Sequence, residues 1–380
     1  MAVLFAVLLP VLLIMVSFTT DVAMMASAKG QLGTASDAAA LAGAAELISS
    51  NRVAGSSNLS REISSARTRA VQFAGYNKTL NAPTYIDAND WNSRSGDVVI
   101  GYLDPLRLSD PTVALNTDSS MTSLFNSVQV TTRRDASRNG LIPAAFGRIL
   151  GYDGYEARVS STATAQNYQV KGFDTTASRN TSLIPIVLSL DVYNAMISKS
   201  SAYADVYSYN RDTQTVTSGG DGITESDLYP VSSGAGNWGT VRIGVSNNGT
   251  SVLSSQIANG VSTSVMAPTY GSSMVASTSA PLIFSGNPGI SLGIKSAIWS
   301  IIGKNVTIPI YDPNNSGGHG SNYTYSIVKF AAVTVLDFKA NGSHSTLTIQ
   351  PGLVTDSSLI TGSASSSWTE GGVVRVFLSR

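Results

Sequence analysis

The sequence predicts an α+β protein. An N-terminal transmembrane helix continues into a long helix and a helical hairpin on a small sheet, and a mixed α/β domain with a β-rich C-terminal half follows. Three observations carry that expectation. Met1 to Phe18 holds no charged side chain, and Ser17 is its only polar one. Ser27 to Leu47 is rich in alanine and other helix formers. From Pro83 onward the period changes, and short apolar runs stand between Gly, Pro, Asn and Ser, the pattern of strands and turns.

At 380 residues the chain exceeds one domain on the usual prior of about 150. Three segments are expected: 1–20 as a transmembrane anchor, 21–168 as a helical stalk with a small α+β module, and 182–380 as an extracytoplasmic mixed α/β domain. Charged residues make up 13%, half the usual share of roughly 25%, which suits an exported surface protein better than a cytosolic enzyme. Lys+Arg and Asp+Glu are equal at 24 each, so no basic field exists to neutralise phosphates and a nucleic-acid partner is not expected. The chain has no cysteine, which removes disulfides, thiolate metal sites and cysteine nucleophiles together.

Met1 to Thr20 just reaches the ~20 apolar residues that a helix needs to cross a bilayer. Pro10 deletes one backbone hydrogen bond in its middle, a defect membrane helices tolerate. Asp21 and Lys29 mark the exit into water. Ala26-Ser27-Ala28 has the small-x-small form of a cleavage site, so removal as a signal peptide competes with retention as an anchor. The run is longer than a signal core of about 7–15 residues, which favours the anchor. A buried core helix is the third reading, and nothing else in the chain is apolar enough to enclose it. The helix is expected to continue to Leu47. Ala35, Ala39 and Gly43, and Ala38 and Ala42, repeat every four residues, a spacing that lets another helix approach closely. The plainer alternative is an alanine-rich helix lying on its own domain.

After a turn-rich break at Asn51 to Asn58, Leu59, Ile63, Ala66, Ala70 and Phe73 recur at helical spacing. Asn58 serves as N-cap and Glu62 sits in the first turn. Arg61, Arg67 and Arg69 fall on the solvated side. Strands are expected at Asp97 to Tyr102, Ser127 to Thr132 and Glu156 to Gln166, with a short helix at Pro143 to Leu150 started by its proline. Asn167 to Thr181 reads as a linker. Leu183 to Leu188 is a buried strand, Asp191 caps a helix through Met196, and Ser201 to Gly222 is an exposed insertion. Gly239 to Ser246 is a strand, and Thr250 to Ala258 and Ile290 to Ile302 are helices, the latter with Trp299 in the core. Asn305 to Tyr311, Tyr323 to Phe338, Ser345 to Gln350 and Val373 to Leu378 complete the strands.

The stretch Asp21-Val22-Ala23, Lys29, Leu32 and Ser36-Asp37-Ala38-Ala39-Ala40-Leu41-Ala42-Gly43-Ala44 resembles the N-terminal segment of the TadE/TadG-like proteins of bacterial Flp (Tad) pilus assembly. Ala23 replaces the usual glycine, and the usual Arg-Arg-Gly lead-in is missing. The residues that carry the pattern are Asp21, Lys29, Leu32, Asp37, Ala38, Ala39, Leu41 and Gly43, and their implied role is helix packing, not chemistry. Runs such as LIPIVLSLDVYNAM and NPGISLGIKSAIWSIIGKNVTIPIYD resemble the C-terminal region of planctomycete-type TadG-like proteins. The resemblance implies an envelope location and a pilus context, and it brings no reaction, cofactor or catalytic residue.

The search for chemistry is short. His319 and His344 are the only histidines, and no metal-ligand spacing or G-x-S-x-G elbow accompanies them. Gly234 to Gly239 has the letters of a dinucleotide loop but precedes a strand where the motif must follow one. Asp221, Glu225 and Asp227 lack the spacing of a calcium loop. The expectation is therefore a non-enzymatic, single-pass protein of the cytoplasmic membrane with its body outside. Its expected partners are the bilayer, through residues 1–20, and other pilus-assembly or pilin-like proteins, with no cofactor and no small-molecule substrate. An exported adhesion protein displaying tyrosines between Tyr203 and Tyr209 is the alternative, and a hydrolase with a dispersed triad the third reading.

Overall fold

The computed structural model describes residues 2–108, 110, 112–199, 204–228, 238–245, 249–288, 292–318, 323–340, 345–365 and 367–380, with the side chains of 2–7, 10–14, 149, 150, 238 and 292 outside that description. The chain forms two units. One comprises 1–48, 58–165 and 376–380, the other 49–57 and 166–375.

In the first unit, helix α1 (Ala2–Glu46) runs unbroken for 45 residues. Ala28, Leu32, Ala35, Ala39, Ala40 and Ala44 are fully buried on it at steps of mostly three and four, so one face is covered through its C-terminal part. Helix α2 (Ser60–Tyr76) has Leu59, not the expected Asn58, at its cap position; Asn58 lies one residue earlier and its side chain accepts from the Ser60 amide at 3.0 Å. Its Ala66, Ala70 and Ala74 share one core with Ala39, Ala40, Ala44 and Leu47. Alanine contributes little area, about 0.8 kcal/mol per methyl-sized group; what it supplies is depth of approach. Strands β1 (Val98–Gly101), β2 (Ser127–Arg134) and the first half of β3 (Ala157–Asp174) pair antiparallel, with Val98 opposite Val130 and Val128 opposite Ala163. Their inward side chains Val98, Ile100, Val128, Val130 and Ala163 complete the core under the helices. Residues 376–380 add a further line beside β3: the Thr162 amide donates to Arg380 O at 2.7 Å, and the Ser379 amide to Thr162 O at 2.8 Å.

The transmembrane helix of the expected fold is overturned. Among the described residues no helix is long and apolar enough to cross a membrane. Approaching Asp21, α1 already carries Ser17, Thr19 and Thr20, the two threonines returning their hydroxyls to Met15 O and Val16 O at 2.8 and 2.9 Å. Asp21 itself is buried against the protein and does not mark an exit into water. The bilayer contact expected through 1–20 loses its basis with that helix.

The second unit is built on a sheet whose pairing order returns on itself. Ile186–Ser189 lies between Trp238–Val241 and Asn305–Gly317; Trp238–Val241 pairs next with Leu282–Pro288, and that strand with Tyr323–Lys339. Asn305–Gly317 also bonds Tyr323–Lys339 from Asn305↔Thr334 to Gly317↔Thr324, so five strands close a hydrogen-bonded ring. The two faces hold separate cores. Ile186, Leu188, Ile308, Ile310, Val333 and Val335 point to one, covered by the helices Leu190–Ile197, Thr250–Asn259 and Lys295–Trp299. Val187, Val241, Phe284, Tyr325 and Phe330 point to the other, together with Phe173 and Met274. The alternation of Ile186, Val187 and Leu188 between cores is the strand period of two used on both sides.

Several local expectations differ from the structure. Arg67, assigned to the solvated side, is buried and donates to Ala88 O at 2.7 Å, Val98 O at 3.1 Å and Asn92 Oδ1 at 2.8 Å, because the loop before β1 folds over that side of α2. Pro143 closes a two-residue strand, Ile142–Pro143, and only Gly147–Leu150 winds, as a 3₁₀ turn. The first half of the expected linker is strand, since β3 continues to Asp174. Asp191 lies inside the first turn of Leu190–Ile197, whose cap position is Ser189. Trp299 is 47% exposed with its indole N–H on Phe338 O at 3.2 Å, because its short helix turns that side outward.

Candidate functional site

The pattern residues of α1 divide between a buried and an exposed face. Asp21, Leu32, Ala39 and Gly43 are buried; Ala38, Leu41 and Asp37 are half-buried, and Lys29 is exposed. Leu32 shares a small core with Ala28, Ile142 and Ala157, and its carbonyl accepts from Thr132 Oγ1 at 2.9 Å. Between these contacts Ser36 meets Ser161 hydroxyl to hydroxyl at 2.7 Å. Gly43 marks the closest approach: a Cβ there would lie 3.0 Å from Ala66 O and 3.1 Å from Val128 Cγ1. A glycine at this point lets α1 sink against both α2 and β2, the geometry that small residues at four-residue spacing permit.

Asp21 is the chemical centre of the arrangement. It is 2% exposed, and its carboxylate accepts from three successive backbone amides, Ala145 at 2.6 Å, Phe146 at 2.9 Å and Gly147 at 3.0 Å, and from the Tyr155 hydroxyl at 2.9 Å. Successive N–H groups of this kind form an anion-accepting concavity. Gly147 permits it, since a Cβ there would come within 2.8 Å of the Tyr155 hydroxyl and 2.9 Å of Ala144 Cβ. The Phe18 and Phe146 rings stack edge to face at 6.1 Å beside the clasp. Burial pulls the Asp21 carboxyl up, and the four donors together outweigh it, so it ionises below its ordinary value. The Tyr155 hydroxyl is pushed up, first by that hydrogen bond and then by burial. With four donors on it, the carboxylate fastens the 145–147 loop and Tyr155 to α1. Sequence reasoning missed its partners. The signal available was a lone Asp on the buried stripe and a Pro-Ala-Ala-Phe-Gly loop with no task of its own.

The other groups singled out serve the fold or lie elsewhere. Glu225 is buried and accepts from the Val206 amide at 3.0 Å and the Tyr207 amide, and burial pushes its carboxyl up. Asp221 accepts from the Tyr209 amide at 3.1 Å, and Asp227 from Thr348 Oγ1. Among the described residues no three His, Asp or Glu side chains converge as metal ligands. Tyr209, expected on display, is buried and Tyr207 half-buried in the hairpin Tyr207–Asn210 and Thr215–Ser218. His319, His344, Tyr203 and Gly234 to Asn237 lie outside the described residues.

The fold and this site define a two-unit, sheet-based protein headed by a long helix that docks through small residues and one clasped carboxylate. Residues 1–46 match the family model of the putative Flp pilus-assembly TadE/G-like proteins. The match ends at Glu46, where α1 ends, and reaches none of the sheets, so it leaves the planctomycete-type likeness of the later residues unaddressed. No curated protein and no solved structure matches the chain. The matched segment is similar to Flp pilus-assembly proteins over the length of α1.

Proposed function

We propose that the protein is a non-enzymatic component of Flp pilus assembly, of the planctomycete TadG-like type, that acts outside the cytoplasm by contact with other pilus proteins. The observation that carries this reading is the coincidence of the family segment, 1–46, with α1, Ala2–Glu46. The pattern's buried members are used inside the chain. Lys29 and Asp37, the charged members after the clasp, make no hydrogen bond or ion pair among the described residues and remain available to another protein. Charges on such a rim set partner choice and encounter rate more than fold stability.

The test separates the two faces. Deleting the gene is expected to abolish Flp pili by electron microscopy, and a strain with normal pili sinks the proposal. In complementation, Lys29→Glu with Asp37→Lys is expected to lose pili while the purified protein melts at the unmodified temperature, which an adhesion protein merely carried by its helix would not do.

A further inference from the structure

We propose that the second unit binds an organic cation, an ammonium or guanidinium group, in the cavity beside the strand Ser226–Leu228. That strand stands at the end of its sheet's pairing order and bonds Thr346–Pro351. The cavity measures about 280 Å³. Glu225 and Asp227 line it from the strand and the residue before it, Tyr207 from the hairpin, and Lys339 from the end of Tyr323–Lys339.

Glu225 supplies the decisive observation. It is 3% exposed, and its Oε1 accepts from the Val206 and Tyr207 amides. Its Oε2 takes no hydrogen bond or ion pair among the described residues, and it is not among the side-chain atoms sealed from solvent. A glutamine would accept the same two amides through one oxygen without burying a charge, so holding the hairpin does not account for a carboxylate. A buried charge is retained where an opposite charge meets it. The charged groups around Glu225 are mostly of its own sign. Asp205 and Asp221 repel it, and Asp227 and Asp337 stand beside the cavity. The Lys339 ammonium is 62% exposed and turns to Asp337 at 3.8 Å. Among the described residues these carboxylates do not converge as metal ligands. Tyr207, whose hydroxyl donates to Asp337 Oδ2 at 2.7 Å, adds an aromatic ring to the lining. Carboxylates beside an aromatic ring favour an organic cation, which meets the ring and the negative charge together.

The experiment is saturation-transfer NMR on the full chain with N-acetylarginine amide, N-acetyllysine amide and spermidine as probes, each at about 5 mM to match weak binding. N-acetylcitrulline amide, with a neutral urea in place of the guanidinium, is the control. Transfer to at least one cation and none to the control is expected. A blocked amino acid that outdoes spermidine assigns the cation to a protein side chain, and the reverse assigns it to a free polyamine. Glu225→Gln keeps the acceptor for the two amides and should weaken transfer about tenfold. Lys339→Ala, at an exposed position, removes a like charge from the rim and should strengthen transfer about threefold. Burial raises the Glu225 carboxyl above its ordinary 4.5, so transfer should be full at neutral pH and fall as acidification passes through that raised value. Equal transfer to the citrulline control, no transfer to any cation, or transfer indifferent to both variants overturns the proposal. This outcome is independent of the pilus reading, which concerns α1.

Discussion

Asp21 converts one helix position into a pH-dependent fastening. Its carboxyl ionises below the ordinary value of 3.8, so the clasp contributes stability above that value and loses it as acidification passes through the folded-state value. The amides of residues 145–147 are therefore expected to be protected from hydrogen exchange at neutral pH and to lose protection in acid. Asp21→Asn keeps the size and gives up one acceptor oxygen and the charge. In that variant the three amides should exchange several times faster at neutral pH, with the acid step gone; unchanged exchange would show that the loop holds itself. Gln256→Leu tests the opposite sign. It removes a bare, buried acceptor, and urea unfolding should show stabilisation of about 1 kcal/mol.

At the scale of elements, the contact of α1 with α2 and β2 rests on side chains too small to tolerate additions. Gly43→Leu gains up to about 1 kcal/mol of helix propensity and must displace Ala66 O and Val128, an overpacking cost of about 1–3 kcal/mol. Net destabilisation in urea unfolding is the expected result, and a more stable variant would mean the helices part without penalty. Arg67→Met should cost about 1–3 kcal/mol, because it strands the Ala88 carbonyl under the loop it holds, while Val98 O keeps its bond from Asn89 Nδ2. Legibility in the sequence follows the same divide. The apolar steps from Leu59 to Ala70 foretold α2, because they are a local periodicity. The burial of Arg67 and of Asp21 was not legible, since each depends on a loop more than twenty residues away in sequence. In α1 itself alanine lies on the covered and the open faces alike, so periodicity could not say which face is which.

For the whole molecule, the division into two units cuts through β3, whose residues up to Ala165 belong to the first unit and whose residues from Gln166 belong to the second. The strand expected at Glu156 to Gln166 is buried on both faces from Ser161 onward, with Thr162, Thr164 and Gln166 almost inaccessible. Removing residues 376–380 strips the first unit of the line beside Thr162. Amides of 157–165 are expected to lose hydrogen-exchange protection while those of the ring strands, such as 327–335, keep theirs; equal loss in both would mean the chain unfolds as one body. The same placement governs the order in which the protein can form. A ribosome delivers the N-terminal helices first and usually lets the leading domain finish before the next begins. Here about two hundred residues of the second unit are made before the segment that completes the first. Strand β3 at Thr162 and Thr164, rather than the helix above it, therefore lacks its last neighbour until the second unit has been made.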